Sequence, residues 1–340
     1  PDETPAVDAL TTEQKDAIRD ELGWFGRLAL HPEGTSDQAA RDELIGSAEA
    51  VALTVLIAVF GLGGVAVLGF IGIVLMLIFG LMGSLKGGLA PGGGRSGIYA
   101  ETFALWIVAF LVLTGGAAWV GTAYVPTATM LLIFVAFFAS LIVLAWPVIR
   151  GVPWSTARTD IGLTCGRSNA FVEVLWGLAG YAMALPVLGV GVVLTLVLLQ
   201  IQNAFADPGQ LFEPMAGPAH PIVLALARGN AFVIVQVLLV ATVAAPVIEE
   251  TVFRGLLHRH LRDSSRWLGP ALSVAFATLL NAFIFAIIHP QGVVAVPALM
   301  SLAISFSLMR EFRGSLISPM VMHGVNNGIM LGLATIALAI

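Results

Sequence analysis

Residues 219–248 read AHPIVLALARGNAFVIVQVLLVATVAAPVI and run directly into EETVFR at residues 249–254. The first segment can cross a bilayer, because a spanning helix needs about 20 predominantly apolar residues. The second segment places two carboxylates and an arginine at the end of that span. Ionisable side chains are costly inside a membrane and usually serve a function there. The junction therefore predicts a membrane helix that carries a functional site.

The composition of the whole chain agrees with this interpretation. Of 340 residues, 58% are hydrophobic and 11% are charged, and the mean hydropathy is +0.94, whereas soluble domains are about a quarter charged. The net charge of -5 arises in the tail, since residues 1–49 hold twelve acidic and four basic residues. We expect an all-α polytopic membrane protein with a polar N-terminal tail, in contact with lipid and without a nucleic-acid partner.

The apolar runs divide the chain into three parts. Residues 1–48 form an acidic tail, in which Thr11–Leu30 has the apolar spacing of an amphipathic helix. This helix could contact the membrane surface, bind an unknown partner or remain solvated. Residues 49–168 should form three transmembrane helices and residues 169–340 the catalytic helical core. The eight predicted spans are 50–84, 98–122, 127–149, 170–200, 219–248, 268–289, 291–310 and 315–339.

The basic residues fall in alternate loops between these runs. Lysine or arginine follows the first, third, fifth and seventh runs, whereas loops 123–126 and 201–218 contain neither. By the positive-inside rule this alternation places Arg254 and its loop on the cytoplasmic side. We expect the first run to be one long tilted helix, although a hairpin at residues 61–64 is an alternative that would change the side of the tail only.

The segment 249–254 divides into a pair and a free carboxylate. Glu250 and Arg254 are four residues apart, so they share a helix face and can form an ion pair. Glu249 points about 100° away from Glu250 and would remain available as a general base. We expect Pro246 to break the helix just before this segment.

Two histidines follow at the ends of later runs. Phe285 and His289 are four residues apart at the end of the sixth run, and His323 and Asn327 have the same spacing in the last run. Each pair should face inward from one side of its helix, and Asn326 is a further amide beside them. A lone histidine–asparagine pair could merely join helices, but the three motifs together indicate a site that activates water.

The ordered motifs Glu-Glu-x-x-x-Arg, Phe-x-x-x-His and His-x-x-x-Asn resemble the CPBP family. These are the CAAX-protease and bacteriocin-processing (Abi) intramembrane proteases, which include the type II CAAX prenyl endopeptidases. The resemblance covers roughly residues 170–340. It implies eight helices around a conical cavity that opens toward the cytosol, in an integral protein of a bacterial inner (plasma) membrane.

The resemblance also implies roles for individual residues. Glu249 and His289 would activate water, and His323 and Asn327 would polarise the carbonyl and stabilise the oxyanion. The geometry of the site would be supported by Glu250, Arg254 and Phe285. Because two histidines and a glutamate are common ligands of catalytic zinc, one Zn²⁺ on Glu249, His289 and His323 is an alternative to a glutamate-dependent mechanism without metal.

The expected activity is intramembrane endopeptidase cleavage of a membrane-associated or lipidated peptide, such as a prenylated tail or a bacteriocin precursor. One alternative is a catalytically silent scaffold or bacteriocin-immunity module with the same helices. Another is a transporter whose carboxylates and histidines relay protons. The intact set of polar residues favours the enzyme.

Overall fold

The computed structural model describes residues 7, 10–33, 37–85, 87–89, 94–205 and 230–337, and no strand occurs among them. By contacts the chain divides into two compact units, residues 63–331 and residues 1–62 with 332–340. Most of loop 201–218 and the first residues of the run 219–248 lie outside the described residues. The prediction of an all-α polytopic membrane protein is confirmed.

The smaller unit contains the predicted amphipathic helix, α1 (Thr12–Leu30). Thr11 caps it, because its hydroxyl accepts from the backbone N–H of Gln14 while the Gln14 side chain accepts from the Thr11 N–H. Gly23 interrupts α1 with a positive φ of 55°, a conformation that glycine adopts without steric cost. The Trp24 indole donates a hydrogen bond to the Leu44 carbonyl in the same unit.

The remaining helices follow in chain order. They are α2 (Gln38–Leu81), α3 (Ser96–Tyr124), α4 (Pro126–Ile149), α5 (Trp154–Ile161), α6 (Ala170–Ala204), α7 (Ala231–Ser264), α8 (Pro270–Ile287), α9 (Val293–Arg313) and α10 (Ile317–Ala337). The first run forms one continuous helix rather than a hairpin, but it begins at residue 38 instead of 50 and so crosses the predicted boundary at 48.

Seven helices of the described residues are long and apolar enough to cross a membrane, namely α2, α3, α4, α6, α7, α8 and α9. The eighth predicted span corresponds to α10, which has 21 residues but is not among those seven.

Local signals explain where these helices begin and end. Asn169 and Asn230 cap α6 and α7, since each side-chain oxygen accepts a backbone N–H three residues later. Proline lies in the first turn of α8, where its missing N–H costs nothing. The left-handed Gly162 and Gly314, with φ of 88° and 69°, end α5 and α9.

Helices α7 and α8, which carry two of the three motifs, and α9 are the most buried of the candidate spanning helices. In α7, α8 and α9, 39% of the most apolar window is buried, compared with 6% in α2 and α3. Phe253 of α7 contacts Phe103, Trp106 and Phe285, with ring centroids 5.1–6.0 Å apart. This aromatic packing fixes α7 against α3 and α8 directly beside the charged segment.

The predicted break at Pro246 is wrong. Helix α7 continues through the proline, but it widens into π-helical turns at Val240–Ala244 and again at Glu250–Leu257. A proline ring clashes with the carbonyl four residues earlier, and the wider turn before it accommodates the ring without ending the helix. Such π segments are frequent at functional sites, and here the second one carries Glu250 and Arg254.

Candidate functional site

Glu250 is the central acceptor of the site. Its Oε1 accepts hydrogen bonds from Arg254 Nη1 at 3.0 Å and from His323 Nδ1 at 2.9 Å, and both Glu250 and Arg254 are fully buried. The predicted pair of Glu250 and Arg254 is therefore present. The structure adds a contact that the spacing did not predict, because α10 brings His323 to the same carboxylate oxygen.

Arg254 is held by more than its carboxylate partner. Its Nη2 donates to the Ala303 carbonyl of α9 at 3.2 Å. Its guanidinium carbon lies 4.5 Å from the ring centroid of Phe285 and 5.3 Å from that of Phe306. Stacking on aromatic faces stabilises a cation that is removed from water. Arg254 thus links α7, α8 and α9 around Glu250.

His323 has a defined tautomer in this arrangement. Oε1 of Glu250 accepts from Arg254, so in the hydrogen bond between this oxygen and His323 it is Nδ1 that donates. The Nε2 atom then carries the lone pair of the neutral ring. A carboxylate that binds one nitrogen of a histidine in this way fixes the orientation of the ring and its tautomer.

Glu249 lies opposite that free nitrogen. Its Oε2 is 3.9 Å from Nε2 of His323, and its side chain is 19% exposed. The buried Oε2 has no hydrogen-bond partner among the described residues. A water molecule could lie about 2.8 Å from both atoms. The angle between its two hydrogen bonds, measured at the water oxygen, would then be roughly 90°. The arrangement can therefore hold and deprotonate one water.

His289 lies just beyond the end of α8, as predicted. Its Nδ1 is 2.5 Å from the Phe285 carbonyl oxygen, which can only accept, so Nδ1 donates and Nε2 is available. The Phe285 ring lies 4.4 Å from the His289 ring and 6.1 Å from the His323 ring. Phe285 is therefore the contact through which the structure brings the two histidines into one cluster.

Asn327 has a different environment from the one expected. Its Nδ2 donates to the Ala241 carbonyl of α7 at 2.8 Å, and the neighbouring Asn326 donates to its Oδ1 at 3.3 Å. Ala241 is eight residues before Glu249, which is about two helical turns. Asn326 is buried, and its Oδ1 has no partner in the described part of the chain. The oxyanion role of Asn327 stays a prediction.

Phe306 is a site residue that the sequence did not indicate. Its ring stacks on His323 with centroids 5.4 Å apart and an interplanar angle of 24°, and it is 1% exposed. One more phenylalanine in an apolar run of α9 carries no distinguishing signal. Only the packing of α9 against α10 identifies it.

The zinc alternative was tested against the positions of the side chains. Among the described residues, no group of three histidine, cysteine, aspartate or glutamate side chains is arranged to hold a metal ion. Glu249, His289 and His323 thus do not form a ready zinc site in this geometry.

Part of the chain matches a known protein family. Residues 231–329 match the family model described as type II CAAX prenyl endopeptidase Rce1-like. This segment contains all seven residues that the sequence assigned to the site. No curated protein and no solved structure matches the chain.

Proposed function

We propose that this protein, in which residues 231–329 match the type II CAAX prenyl endopeptidase Rce1-like family model, is a CAAX-type intramembrane endopeptidase that hydrolyses a peptide bond with a Glu249-activated water. The family match and the seven apolar helices support a CAAX-type protease embedded in a membrane. The proposal further concerns the catalytic residues, the side of the membrane and the substrate.

The shared carboxylate of Glu250 is the observation that carries the proposal. It orients His323 through Nδ1, so that Nε2 faces the unpartnered oxygen of Glu249 at 3.9 Å. A structural ion pair would need only Glu250 and Arg254. The ion pair alone does not explain why Glu249 and the oriented His323 are present. Both groups are needed to bind and deprotonate water.

The chemistry follows from these positions. Glu249 takes a proton from the bound water as the water oxygen attacks the carbonyl carbon of the scissile bond. The Nε2 lone pair of His323 accepts a hydrogen bond from the same water and orients it, and His289, with its free Nε2, helps to position the water. Collapse of the tetrahedral intermediate breaks the C–N bond, and Glu249 returns the proton to the leaving amine.

The location and the substrate are proposed on separate grounds. The alternation of basic loops favours a site toward the cytoplasmic side of a bacterial inner membrane. The family description favours a peptide with a prenylated C-terminal tail. Cleavage near the interface would let a lipidated peptide keep its lipid in the bilayer while its backbone reaches Glu249.

The test is cleavage of quenched-fluorescent peptides by the purified protein in detergent, with one peptide set prenylated and one not. Glu249→Gln keeps the shape of the side chain but cannot accept the proton, so kcat should fall by about 10²–10⁴-fold. Glu101→Gln is the matched control, because Glu101 pairs with Arg150 and Trp146 away from the site. This control should keep the wild-type rate.

The outcomes separate the alternatives. Full activity in Glu249→Gln would refute Glu249 as the base. Absence of cleavage of both peptide sets by the wild-type protein would favour the silent scaffold. A parallel sample with a chelator tests the zinc alternative, since loss of activity that zinc restores would require a metal.

A further inference from the structure

A pocket of about 290 Å³ lies between the end of α7 and the start of α8. Arg262, Asp263 and Arg266 line it from the end of α7 and the turn that follows, Ser273 lines it from the first turn of α8, and Leu89 lines it from the loop between α2 and α3. No residue of the candidate peptidase site is among them. Ligand pockets usually measure about 300–1,000 Å³, so this pocket has room for a small polar group.

Hydrogen bonds hold the wall of this pocket in place. Ser273 is fully buried, and its Oγ accepts from Arg262 Nη1 and lies 2.8 Å from Ser265 Oγ. The backbone N–H of Leu89 donates to the Glu311 carbonyl of α9 at 3.1 Å. Arg262 also donates from Nε to the Glu311 carboxylate, which leaves its Nη2 without a partner in the described part of the chain. The pocket is therefore formed before any ligand enters it.

The charges around the pocket are predominantly positive. The ion pairs and hydrogen bonds of this region involve five arginines and three carboxylates, namely Arg95, Arg259, Arg262, Arg266, Arg310, Asp160, Asp263 and Glu311. The only carboxylate in the pocket wall, that of Asp263, accepts from Arg259 at 3.1 Å and from Arg266 at 2.8 Å. Its charge is therefore already compensated, and the pocket favours an anion.

Exposed apolar side chains lead away from the pocket along α8. Four of them are 44–63% exposed, namely Leu272, Phe276, Leu279 and Phe283. Their spacings of four, three and four residues place them on one face of the helix. Trp267 beside the pocket is 83% exposed, and tryptophan is enriched where a membrane meets water. The pocket thus lies where a cationic cluster meets an apolar face that lipid can cover.

We propose that this pocket binds the phosphate of an anionic phospholipid whose acyl chains lie along the exposed face of α8. Arginine binds phosphate through charge-assisted and often paired hydrogen bonds. Nη2 of Arg262 and the guanidinium of Arg266, which is 43% exposed, supply such donors in the pocket wall. A soluble phosphate ester would leave the apolar face uncovered, and the ammonium of a zwitterionic lipid would be repelled by the excess of arginine. The site does not depend on the proposed peptidase activity.

The test is native mass spectrometry of the purified whole protein in detergent, with phosphatidylglycerol or phosphatidylcholine of identical acyl chains added. The quantity compared is the dissociation constant of the first bound lipid. One arginine near a membrane surface strengthens the binding of anionic lipid by a factor of about five. With two arginines in the wall, phosphatidylglycerol should bind at least about tenfold more tightly than phosphatidylcholine. Equal dissociation constants for the two lipids would overturn the proposed site.

Arg266→Gln locates the binding in this pocket. It should weaken the binding of phosphatidylglycerol about fivefold and leave that of phosphatidylcholine nearly unchanged. The matched control is Arg150→Gln, because the Arg150 side chain is also 43% exposed and also pairs with a carboxylate, that of Glu101, but lies outside the pocket. This control should keep the wild-type constants. An unchanged constant in Arg266→Gln, or an equal loss in both variants, would overturn the assignment to this pocket.

A second measurement distinguishes a lipid from a soluble phosphate ester. A phosphate bound between α7 and α8 should stabilise their junction, so phosphatidylglycerol should raise the temperature of thermal unfolding of the wild-type protein more than that of Arg266→Gln. Glycerol 3-phosphate, which has the phosphate but no acyl chains, should have no such effect at the same concentration. An equal rise with glycerol 3-phosphate would overturn the lipid and identify a soluble ligand instead.

Discussion

Replacing Glu250 by alanine should destabilise the protein by about 3–5 kcal/mol, the cost of leaving one partner of a buried ion pair uncompensated. Glu250 and Arg254 are both fully buried, and they share a hydrogen bond of 3.0 Å. The Ala303 carbonyl and the two aromatic rings would remain. None of these neutralises the charge.

The same substitution should also disturb His323, because its Nδ1 loses the acceptor at 2.9 Å. The double variant Glu250→Leu/Arg254→Leu removes both charges and should recover most of the lost stability, since a buried ion pair can often be replaced by apolar residues. It should remain inactive, because His323 is still without its orienting carboxylate. Stability and activity should therefore separate in this variant.

The assay is reversible unfolding by SDS in mixed micelles, followed by tryptophan fluorescence for the wild type, Glu250→Ala, the single variants Glu250→Leu and Arg254→Leu, and the double variant. Glu101→Ala serves as the exposed control, since the Glu101 and Arg150 side chains are 41% and 43% exposed, and it should show no measurable loss. A loss below about 1 kcal/mol in Glu250→Ala would contradict the buried pair, because one such pair should cost severalfold more. The buried pair would also be contradicted if the loss of unfolding free energy in the double variant equalled the sum of the two single losses.

Three further substitutions test other contacts. Gln236→Leu should lower the free energy of unfolding by about 1–3 kcal/mol in the same assay, because the Gln236 amide bonds to a backbone N–H and a backbone carbonyl at the start of α4. An unchanged unfolding midpoint would exclude this role. Phe306→Leu should lower kcat about tenfold without changing KM, because a small misplacement of His323 weakens catalysis, and a rise in KM alone would argue against it. Gly162→Ala should destabilise the protein by at least about 1–2 kcal/mol, because this position has a φ of 88° and the added methyl would contact the Arg310 guanidinium. A variant that unfolds at the wild-type temperature would refute the need for glycine at this position.

The sequence was sufficient for the class of the protein and for the local contacts within the candidate site. Apolar runs of about 20 residues can satisfy their backbone only as membrane helices, so the composition and the periodicity determine the all-α architecture. The spacing of four residues between Glu250 and Arg254, and between Phe285 and His289, predicted contacts that the structure contains. These contacts are local, and helical geometry alone determines them.

Other features depended on how distant segments pack. A proline predicts a helix break, but neighbouring helices stabilise a π-helical turn instead, so α7 continues through Pro246. The beginning of α2 at residue 38 lies in a polar segment that carries no apolar signal.

The sequence by itself determined a membrane protein with a set of carboxylates, histidines and amides in its last third, because hydrophobicity and helical spacing are local properties of the chain. The tertiary structure alone decided which of these groups share a hydrogen bond. It joined His323 to Glu250 across 73 positions, directed Asn327 to the Ala241 carbonyl and placed Phe306 on the histidine ring. Such contacts depend on the relative rotation and depth of separate helices, which the pattern within any one helix does not contain.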